Sequence, residues 1–400
     1  MPASRMSPEE LRASLALSSI FGLRMLGMFA ILPVFAFYAE GLPGGDNLTL
    51  VGIAIGIYGL TQAALQIPFG WWSDRYGRKP VIYVGLAIFA AGSFIAALGV
   101  HIWVVILGRL LQGAGAIAAP VMAMAADLTR EENRAKAMAM IGSTIGATFA
   151  LSIVLAPWLN AVIGVPGIFV MTGVLVLAAM GVVYGLVPDE PEPDRHGHMP
   201  ALRQLVATLR DPQLARLNLG TMVLHSVLMA LFIAVPLELR RLGLPADLHW
   251  QVYLPVMLGS FVLMLPAVLG SGRSSRLKPI FVGTIAALFI VQVLMPWGMN
   301  STWAAALFLL AFFTAFNVLE ALLPTLVSRT AAPGTRGVAI GAFTSLQFFG
   351  TFLGAAAGGF VYERWGIAGI VVLSAALLAM WLVAALGTRV PSPSHAVAHP

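Results

Sequence analysis

The stretch GWWSDRYGRKP, from Gly70 to Pro80, places an Asp, two Arg residues and a Lys between two long apolar runs. LTLVGIAIGIYGLTQAALQIPF precedes it and VIYVGLAIFAAGSFIAALG follows it. A helix needs roughly 20 apolar residues to cross the hydrocarbon core of a bilayer, and each run is about that long. The charged stretch is therefore predicted to be a short loop between two membrane spans.

The composition of the whole chain agrees with this interpretation. Of its 400 residues 59% are hydrophobic and 10% charged, and the mean hydropathy is +0.89. Soluble domains are about 25% charged, so these values predict a polytopic membrane protein. The absence of cysteine excludes disulfides, zinc–thiolate sites and thiol catalysis. The first apolar run, 11–38, is too long for a signal peptide and is predicted to be a retained helix.

Twelve spans are predicted, and together they make an all-α polytopic membrane fold. Short segments rich in glycine, proline or charge separate them, such as EGLPGGDN, TREENRAK and TAAPGTRG. The predicted ranges are 11–39, 48–72, 80–99, 102–127, 136–160, 165–187, 214–240, 248–271, 279–298, 302–329, 336–360 and 366–388.

The basic residues predict the orientation. Most of the 23 lysine and arginine residues lie in the N-terminus, in every second loop and in the tail. Because cytoplasmic loops carry the excess of Lys and Arg, both termini are predicted to be cytoplasmic. The net charge of +6 is then an orientation signal, and no nucleic-acid partner is expected. The predicted location is a bacterial cytoplasmic (inner) membrane, with the lipid bilayer as partner.

The longest polar stretch divides the chain almost at its middle. The predicted units are a six-helix half at 1–187, a cytoplasmic linker at 188–213, a second six-helix half at 214–388 and a short tail at 389–400. Within the linker, ALRQLVATLR is amphipathic and predicted to lie along the inner surface. GWWSDRYGRKP before span three and GSGRSSRLKP before span nine occupy similar offsets in the two halves. Two parallel repeats with a site near the midplane are typical of transporters.

The opening stretch matches a known signature at every defined position. It resembles the G-x-x-x-D-R-x-G-R-K/R motif of the major facilitator superfamily, which lies between spans two and three. A positive-inside loop would explain the basic residues, but not an Asp and two glycines in this register. The resemblance implies a twelve-helix fold with two pseudo-symmetric halves and transport by alternating access. The matching residues are Gly70, Asp74, Arg75, Gly77, Arg78 and Lys79.

Spans four and five resemble two further motifs of the superfamily. ILGRLLQGAGAI, at 106–117, is similar to R-x-x-Q-G-x-G, whose Arg is implied to assist proton transfer; here it is Arg109. The exporter motif of span five has a G-P-x-x-G-G core. Pro157 is present, but Ala156 and Asn160 replace glycines. The partial match leaves the direction of transport open.

Over most of its length the chain resembles the YajR-type branch, bacterial carriers grouped with drug:proton antiporters. GLRMLGMF in span one, VGIAIGIYGLTQA in span two and FNVLEALLPTL in span ten carry this resemblance. It implies a cytoplasmic latch in which Arg78 engages Asp127 and Asp74 interacts with the start of span eleven. Members of this branch usually add a small soluble C-terminal domain, and this chain is expected to lack that domain.

Polar residues inside the predicted spans are the candidate site. Glu320 lies about 27 Å from the outer end of span ten at about 1.5 Å per residue. A carboxylate there is predicted to bind and release a proton. The alternative is a permanent ion pair with Arg24. His225 in span seven either titrates near neutrality or hydrogen-bonds a neighbouring helix. Candidates for the wall of a substrate cavity, with interhelical hydrogen bonding as the alternative, are Arg24, Gln62, Gln66, Gln112, Asn218, Asn317 and Gln347.

These features favour a secondary active transporter, and proton-coupled export of a small molecule is the leading hypothesis. A proton-coupled symporter or a uniporter is the alternative. An enzyme is not expected, because no phosphate-binding loop, HExxH sequence or nucleophile–base set is recognisable. A non-transporting sensor, which would usually need a soluble output domain, is less favoured. No cofactor or metal is expected, since the proton gradient would supply the energy. The expected partners are protons and an unidentified small molecule, and the chain is expected to be a monomer.

Overall fold

The computed structural model describes residues 6–189, 202–271, 274–332 and 335–389. Within these ranges ten helices are long and apolar enough to cross a membrane. Two of the ten are about twice the necessary length, Glu131–Leu186 and Arg336–Leu386, and each contains a kink between two successive spans. Counted in this way, the helices agree with the predicted twelve spans. The all-α polytopic fold is confirmed.

The chain forms two compact units, of which the first comprises Met1–Met199. In this unit α1 packs against α7, and α4 packs against both α5 and α7. Its helices are α1 (Pro8–Ala30), α2 (Phe35–Glu40), α3 (Leu48–Tyr76), α4 (Arg78–Ala97), α5 (Ile102–Ala114), α6 (Ala118–Asp127) and α7 (Glu131–Leu186).

The second unit comprises Pro200–Pro400. Its most extensive packing is between α9 and α14, and α13 lies against α9, α10 and α11. A short 3-10 turn, Ala246–Leu248, connects α9 to α10. The helices are α8 (Leu202–Arg210), α9 (Pro212–Arg241), α10 (Trp250–Gly270), α11 (Ser274–Val293), α12 (Met295–Gly298), α13 (Thr302–Thr330) and α14 (Arg336–Leu386).

Helix α8 is the amphipathic segment predicted at the end of the linker. The rest of the predicted linker falls largely on 190–201, and the tail on 390–400. Both lie outside the described residues.

Two of the predicted spans, 11–39 and 102–127, each consist of two helices with a break between them, a feature that the sequence analysis did not predict. Span one is broken between α1 and α2, where Pro33 removes a backbone donor. Span four is broken at Gly115, which ends α5, and α6 starts two residues before Pro120. Proline is favoured in the first turn of a helix and disfavoured in its interior, so Pro120 suits a new helix start rather than a continuous span.

The kink inside α7 lies in the predicted loop at 161–164, and the kink inside α14 comes directly after the predicted loop at 361–365. Gly164 has φ 66° and ψ 171°, and Gly366 has φ 55° and ψ −143°. L-residues with a side chain rarely adopt such angles, so glycine allows the chain to turn there without a longer loop.

Large apolar side chains cover the outside of both units. Leu151 in α7 and Leu307 in α13 are among many exposed apolar side chains. Three of the exposed tryptophans, Trp103, Trp303 and Trp365, lie at helix ends or at the α14 kink. Such a surface suits a lipid environment with aromatic residues at the interfaces.

We expect Gly77→Ala to destabilise the first unit by about 1–3 kcal/mol. Gly77 joins α3 to α4 with φ 94° and ψ 153°, a region essentially restricted to glycine. Gly142→Ala is the control, because a Cβ there meets nothing within 4 Å and glycine inside a helix is less favourable than alanine. Thermal unfolding in detergent measures both variants. Equal melting temperatures would show that the Gly77 conformation carries no strain for alanine.

Candidate functional site

The second unit brings helices α9 and α14 unusually close. A glycine every fourth residue, at Gly350, Gly354 and Gly358, faces the α9 backbone, where an added Cβ would lie 2.2 Å from the Met222 carbonyl oxygen and 2.0 Å from that of Ser226. The Ser226 hydroxyl also donates to the Gly350 carbonyl oxygen at 3.0 Å. Small residues spaced in this way allow membrane helices to pack backbone against backbone. This packing fixes the side chains of α9 that face α14.

Gln347, one turn before Gly350, lies between the two titratable residues predicted in this half. Its Nε2 is 2.8 Å from His225 Nε2 and donates to Glu320 Oε1 at 3.3 Å. His225 Nε2 and Glu320 Oε2 are 3.7 Å apart. The predicted candidates His225, Glu320 and Gln347 therefore form one cluster contributed by α9, α13 and α14.

The other ring nitrogen of His225 has a fixed partner. Nδ1 is 3.0 Å from the Thr221 carbonyl oxygen, one turn earlier in α9. A carbonyl oxygen only accepts, so Nδ1 carries the proton and donates. In the neutral ring the Nε2 lone pair then accepts from the Gln347 amide. The Phe316 ring, with its centroid 5.8 Å from that of His225, covers another side of the imidazole.

The cluster lies at membrane depth and is accessible. Glu320 is followed by about 10 residues of α13, so it lies about 15 Å from the C-terminal end of that helix. His225 is near the middle of α9. The Glu320 side chain is 40% exposed, against 10% for His225. The rest of the chain therefore covers the carboxylate less than it covers the imidazole.

The two remaining polar candidates of this unit, Asn317 and Asn218, differ in their hydrogen bonding. Asn317 donates from its side chain to the Ser260 hydroxyl at 3.1 Å, which links α13 to α10. Asn218 is buried, and its amide makes no hydrogen bond within the described part of the chain. The structure thus places Asn317 one turn from Glu320, and Asn218 two turns from His225.

In the first unit Arg24 is fully buried and holds the break in span four. Its Nη2 donates to the Gly115 carbonyl oxygen at 2.8 Å and to Gln62 Oε1 at 2.9 Å. Gln62 in turn donates to Gln66 Oε1 at 3.0 Å. The guanidinium also lies 4.8 Å from the Phe89 ring centroid, in cation–π geometry. Arg24 thus satisfies a carbonyl at the C-terminal end of α5, where a positive charge is favoured.

Arg109 is also buried, and its partners come from α3 and from its own helix α5. It donates to the carbonyl oxygens of Ala54 at 3.3 Å and Ile55 at 3.0 Å, and to Gln112 Oε1 at 2.8 Å. Gln112 Nε2 in turn donates to the Ser93 hydroxyl at 2.8 Å. The structure therefore gives Gln62, Gln66 and Gln112 interhelical or intrahelical bonds in the interior of their unit. An ion pair of Arg24 with Glu320 would join the two units and stays a prediction.

The loop between α3 and α4 contains a charge cluster centred on Arg78. Arg78 pairs with Asp74, donates to the Ser73 hydroxyl at 2.8 Å and donates to Asp127 Oδ2 at 3.0 Å. Asp127 is the last residue of α6. Arg78 therefore ties the end of α3 and the start of α4 to the end of α6, as the resemblance implied within this half. The interaction of Asp74 with span eleven would join the two units and stays a prediction.

The other motif residues lie around this cluster. Lys79 pairs with Asp189 at 2.6 Å, and this contact holds the pKa of the Asp189 carboxyl below its usual range. Arg75 stacks near the Trp71 and Tyr76 rings, with its guanidinium carbon 5.9 Å from each centroid. Gly70 faces Ala119 of α6, with an added Cβ 3.4 Å from the alanine Cβ. Motif residues thus contact α6 and the residues that follow α7.

The sequence analysis missed a buried carboxylate near the C-terminal end of α9. Glu238 accepts from the Tyr362 hydroxyl at 2.9 Å and from Arg241 Nε at 2.6 Å. Arg241 Nη2 also donates to the Met299 carbonyl oxygen at 3.2 Å. The cluster therefore connects α9, α14 and the loop before α13. For the Glu238–Arg241 pair, the sequence signal was an acid three residues before an Arg.

The fold and these clusters define a class: a polytopic membrane transporter built from two helical units. The profile described as Major Facilitator Superfamily matches residues 17–355. The chain belongs to this superfamily.

Relatives and a solved structure agree. The chain is 42% identical over 388 residues to the inner membrane transport protein YajR of Escherichia coli strain K12, covering 97% of this chain and 85% of that one. It is 28% identical over 356 residues to the multidrug resistance protein MdtH of Proteus mirabilis strain HI4320, covering 85% and 84%. The crystal structure of the human organic anion transporter MFSD10 superposes with a TM-score of 0.71 at 18% identity, covering 95% and 100%. The predicted similarity to YajR-type carriers is confirmed.

Proposed function

We propose that this transporter exports a small molecule in exchange for protons entering the cell. The observation that carries the proposal is the cluster of Glu320, Gln347 and His225 at membrane depth. Ionisable residues inside membrane spans are rare and mark substrate or ion pathways. Among the described residues of its own unit, the ion-pair partner of Glu320 is a histidine, which is charged only when protonated.

Protonation of Glu320 would change the energy of the carboxylate in a dry environment. A charged carboxyl near the centre of a membrane helix costs about 2.5–3.5 kcal/mol on insertion scales, and a protonated one avoids most of this cost. A state that closes over Glu320 is therefore favoured when the carboxyl carries a proton. A state that opens it to water tolerates the charge. Proton binding on one side and release on the other would then bias the alternation.

Export is favoured over import by the relatives. MdtH is described as a multidrug resistance protein, and efflux is the usual basis of such a name. YajR is described as an inner membrane transport protein, which supports the same location for this chain. The distribution of Lys and Arg supports cytoplasmic termini.

The other polar clusters would support this cycle. Arg24 and Arg109, bonded to backbone carbonyls and amides, keep the first unit rigid around the break in span four. The Arg78 cluster holds the ends of three helices, and α6 carries one of its acids. We assign it the latch function that the superfamily motif implies.

Proteoliposomes containing a pH-sensitive dye test the proposal. Purified transporter with a pH gradient, acidic inside, is exposed to candidate compounds, including the cationic and apolar drugs typical of multidrug exporters. Antiport predicts that an accepted substrate entering the vesicles accelerates loss of the gradient. Symport would slow its loss or acidify the interior further. Transport of a substrate with no proton movement would overturn coupling and leave a uniporter.

A further inference from the structure

We propose that Gln347 is a positioning residue that links the two titratable groups of the cluster. Its amide donates to neutral His225 and to ionised Glu320 at the same time, and turns over when His225 takes a proton. This inference rests on the proposed function, because it describes how the same cluster responds to protons.

The proposal follows from counting donors and acceptors. A glutamine amide has two N–H donors on one atom and an acceptor oxygen on the other. Nε2 of Gln347 contacts both His225 Nε2, at 2.8 Å, and Glu320 Oε1, at 3.3 Å. Because the amide nitrogen only donates, its partner in each contact must be an acceptor. His225 Nε2 meets that need only as a lone pair, and the Thr221 carbonyl already fixes the ring proton on Nδ1.

Protonation of His225 breaks this arrangement. The added proton occupies the Nε2 lone pair, so two donors face each other across 2.8 Å. Rotation of the amide by about 180° replaces the amino group with the carbonyl oxygen, which accepts from the new N–H. The same rotation withdraws the amino group from Glu320. The imidazolium, 3.7 Å from Glu320 Oε2, then replaces it as the partner of the carboxylate.

The backbone around the amide is held, so the side chain is the part free to move. Gly350 and Gly354 press α14 against α9, and Ser226 bonds across the same contact. Helix α13 presents Glu320 and the Phe316 ring to His225. An amide rotation disturbs none of these contacts.

Other titratable groups of the packed helices lie at different depths. Arg216 of α9 and Arg329 of α13 are each nine residues from the cluster residue on their helix, about 13 Å along the axis. Tyr253 of α10 lies in the first turn of its helix. The remaining charged groups of these helices lie at helix ends or at the α14 kink: Glu238, Arg240, Arg241, Arg276, Lys278, Arg336, Glu363 and Arg364.

The pH profile of transport distinguishes this role from a structural one. Gln347→Leu removes both the donor to neutral His225 and the acceptor that the turned amide offers to the imidazolium. Because the hydrogen bond to the charged ring is the stronger of the two, protonation of His225 becomes less favourable and the profile moves to lower pH by about half to one unit. Gln347→Glu, which offers only an acceptor, moves the profile to higher pH. Thr344→Val is the control, because it removes a hydroxyl one turn away on α14 that bonds only its own helix. Loss of rate at every pH with an unmoved profile would overturn the proposal.

Nitrogen-15 NMR of labelled histidine in the wild-type protein provides a readout that does not depend on the folding of a Gln347 variant. The His225 signal is identified as the one that is missing from the spectrum of His225→Gln. Above the titration of the ring, the proposal predicts the Nδ1–H tautomer, with Nε2 shifted as a hydrogen-bonded acceptor. An Nε2–H tautomer would contradict it. If wild-type vesicles show no substrate-linked proton movement, the proposed function fails. If coupling is present while the Gln347 profiles stay fixed, only the role of Gln347 fails.

Discussion

Glu320→Gln is expected to reduce proton-driven transport to the level of protein-free vesicles while leaving the fold intact. The glutamine oxygen still accepts from Gln347, as Glu320 Oε1 does at 3.3 Å, so the local packing is kept. The variant cannot bind or release a proton at this position. Exchange of substrate for substrate, which needs no net proton movement, should persist. The measurement is uphill uptake into acidic-inside vesicles compared with exchange at equal pH.

Glu363→Gln is the matched control for this experiment. Glu363 is an exposed carboxylate of α14, close to the Gly366 kink. The Glu363→Gln variant is expected to transport at the wild-type rate. Full gradient-driven uptake by a well-folded Glu320→Gln variant would remove Glu320 from the coupling mechanism. Loss of exchange as well as uptake would show that the residue serves binding or structure instead.

Arg78→Met is expected to lower the transport rate about tenfold. Arg78 bonds Asp74, Asp127 and Ser73, and the substitution leaves two carboxylates near each other without their shared cation. Hydrogen bonds to charged groups contribute about 1.5–3 kcal/mol each when buried. Asp74 and Asp127 are 39% and 40% exposed, so solvent reduces this value. A remaining loss of about 1.4 kcal/mol corresponds to a tenfold change in a two-state ratio.

Arg75→Met is the control that distinguishes loss of the Arg78 ion-pair cluster from loss of one positive charge in the loop. Both substitutions remove one positive charge between α3 and α4, but Arg75 stacks near Trp71 and Tyr76 and makes no ion pair within the described residues. We expect Arg75→Met to retain most of the rate. Equal losses in the two variants would mean that the loop acts only through its positive charge.

The sequence predicted the fold because its main determinants are local. Apolar runs of sufficient length, separated by charge and turn residues, define spans regardless of tertiary packing. The breaks at Pro33 and Gly115 were not predicted, because hydropathy stays high through both positions. Residues elsewhere stabilise the second break, since Arg24 of α1 bonds the freed Gly115 carbonyl.

The site was predicted as a set of residues but not as an arrangement. Glu320 and His225 were conspicuous as titratable groups in apolar helices. Their connection through Gln347 depends on how closely α14 approaches α9. The repeated glycines from Gly350 to Gly358 were the sequence signal for that approach. Arg24 and Gln62, predicted as possible cavity residues, bond to each other, and Arg24 also bonds the Gly115 carbonyl oxygen. Their place in a cavity wall stays a prediction.

Proton release on substrate binding tests the central claim most directly. Purified transporter in weakly buffered detergent solution, at a pH where Glu320 is partly protonated, is mixed with an accepted substrate and a pH indicator. Competition between substrate and proton predicts that wild type releases up to about one proton per substrate bound, and that Glu320→Gln binds substrate without releasing one. Equal proton release from both proteins, or saturable substrate binding with no release from wild type at any pH, would contradict the account.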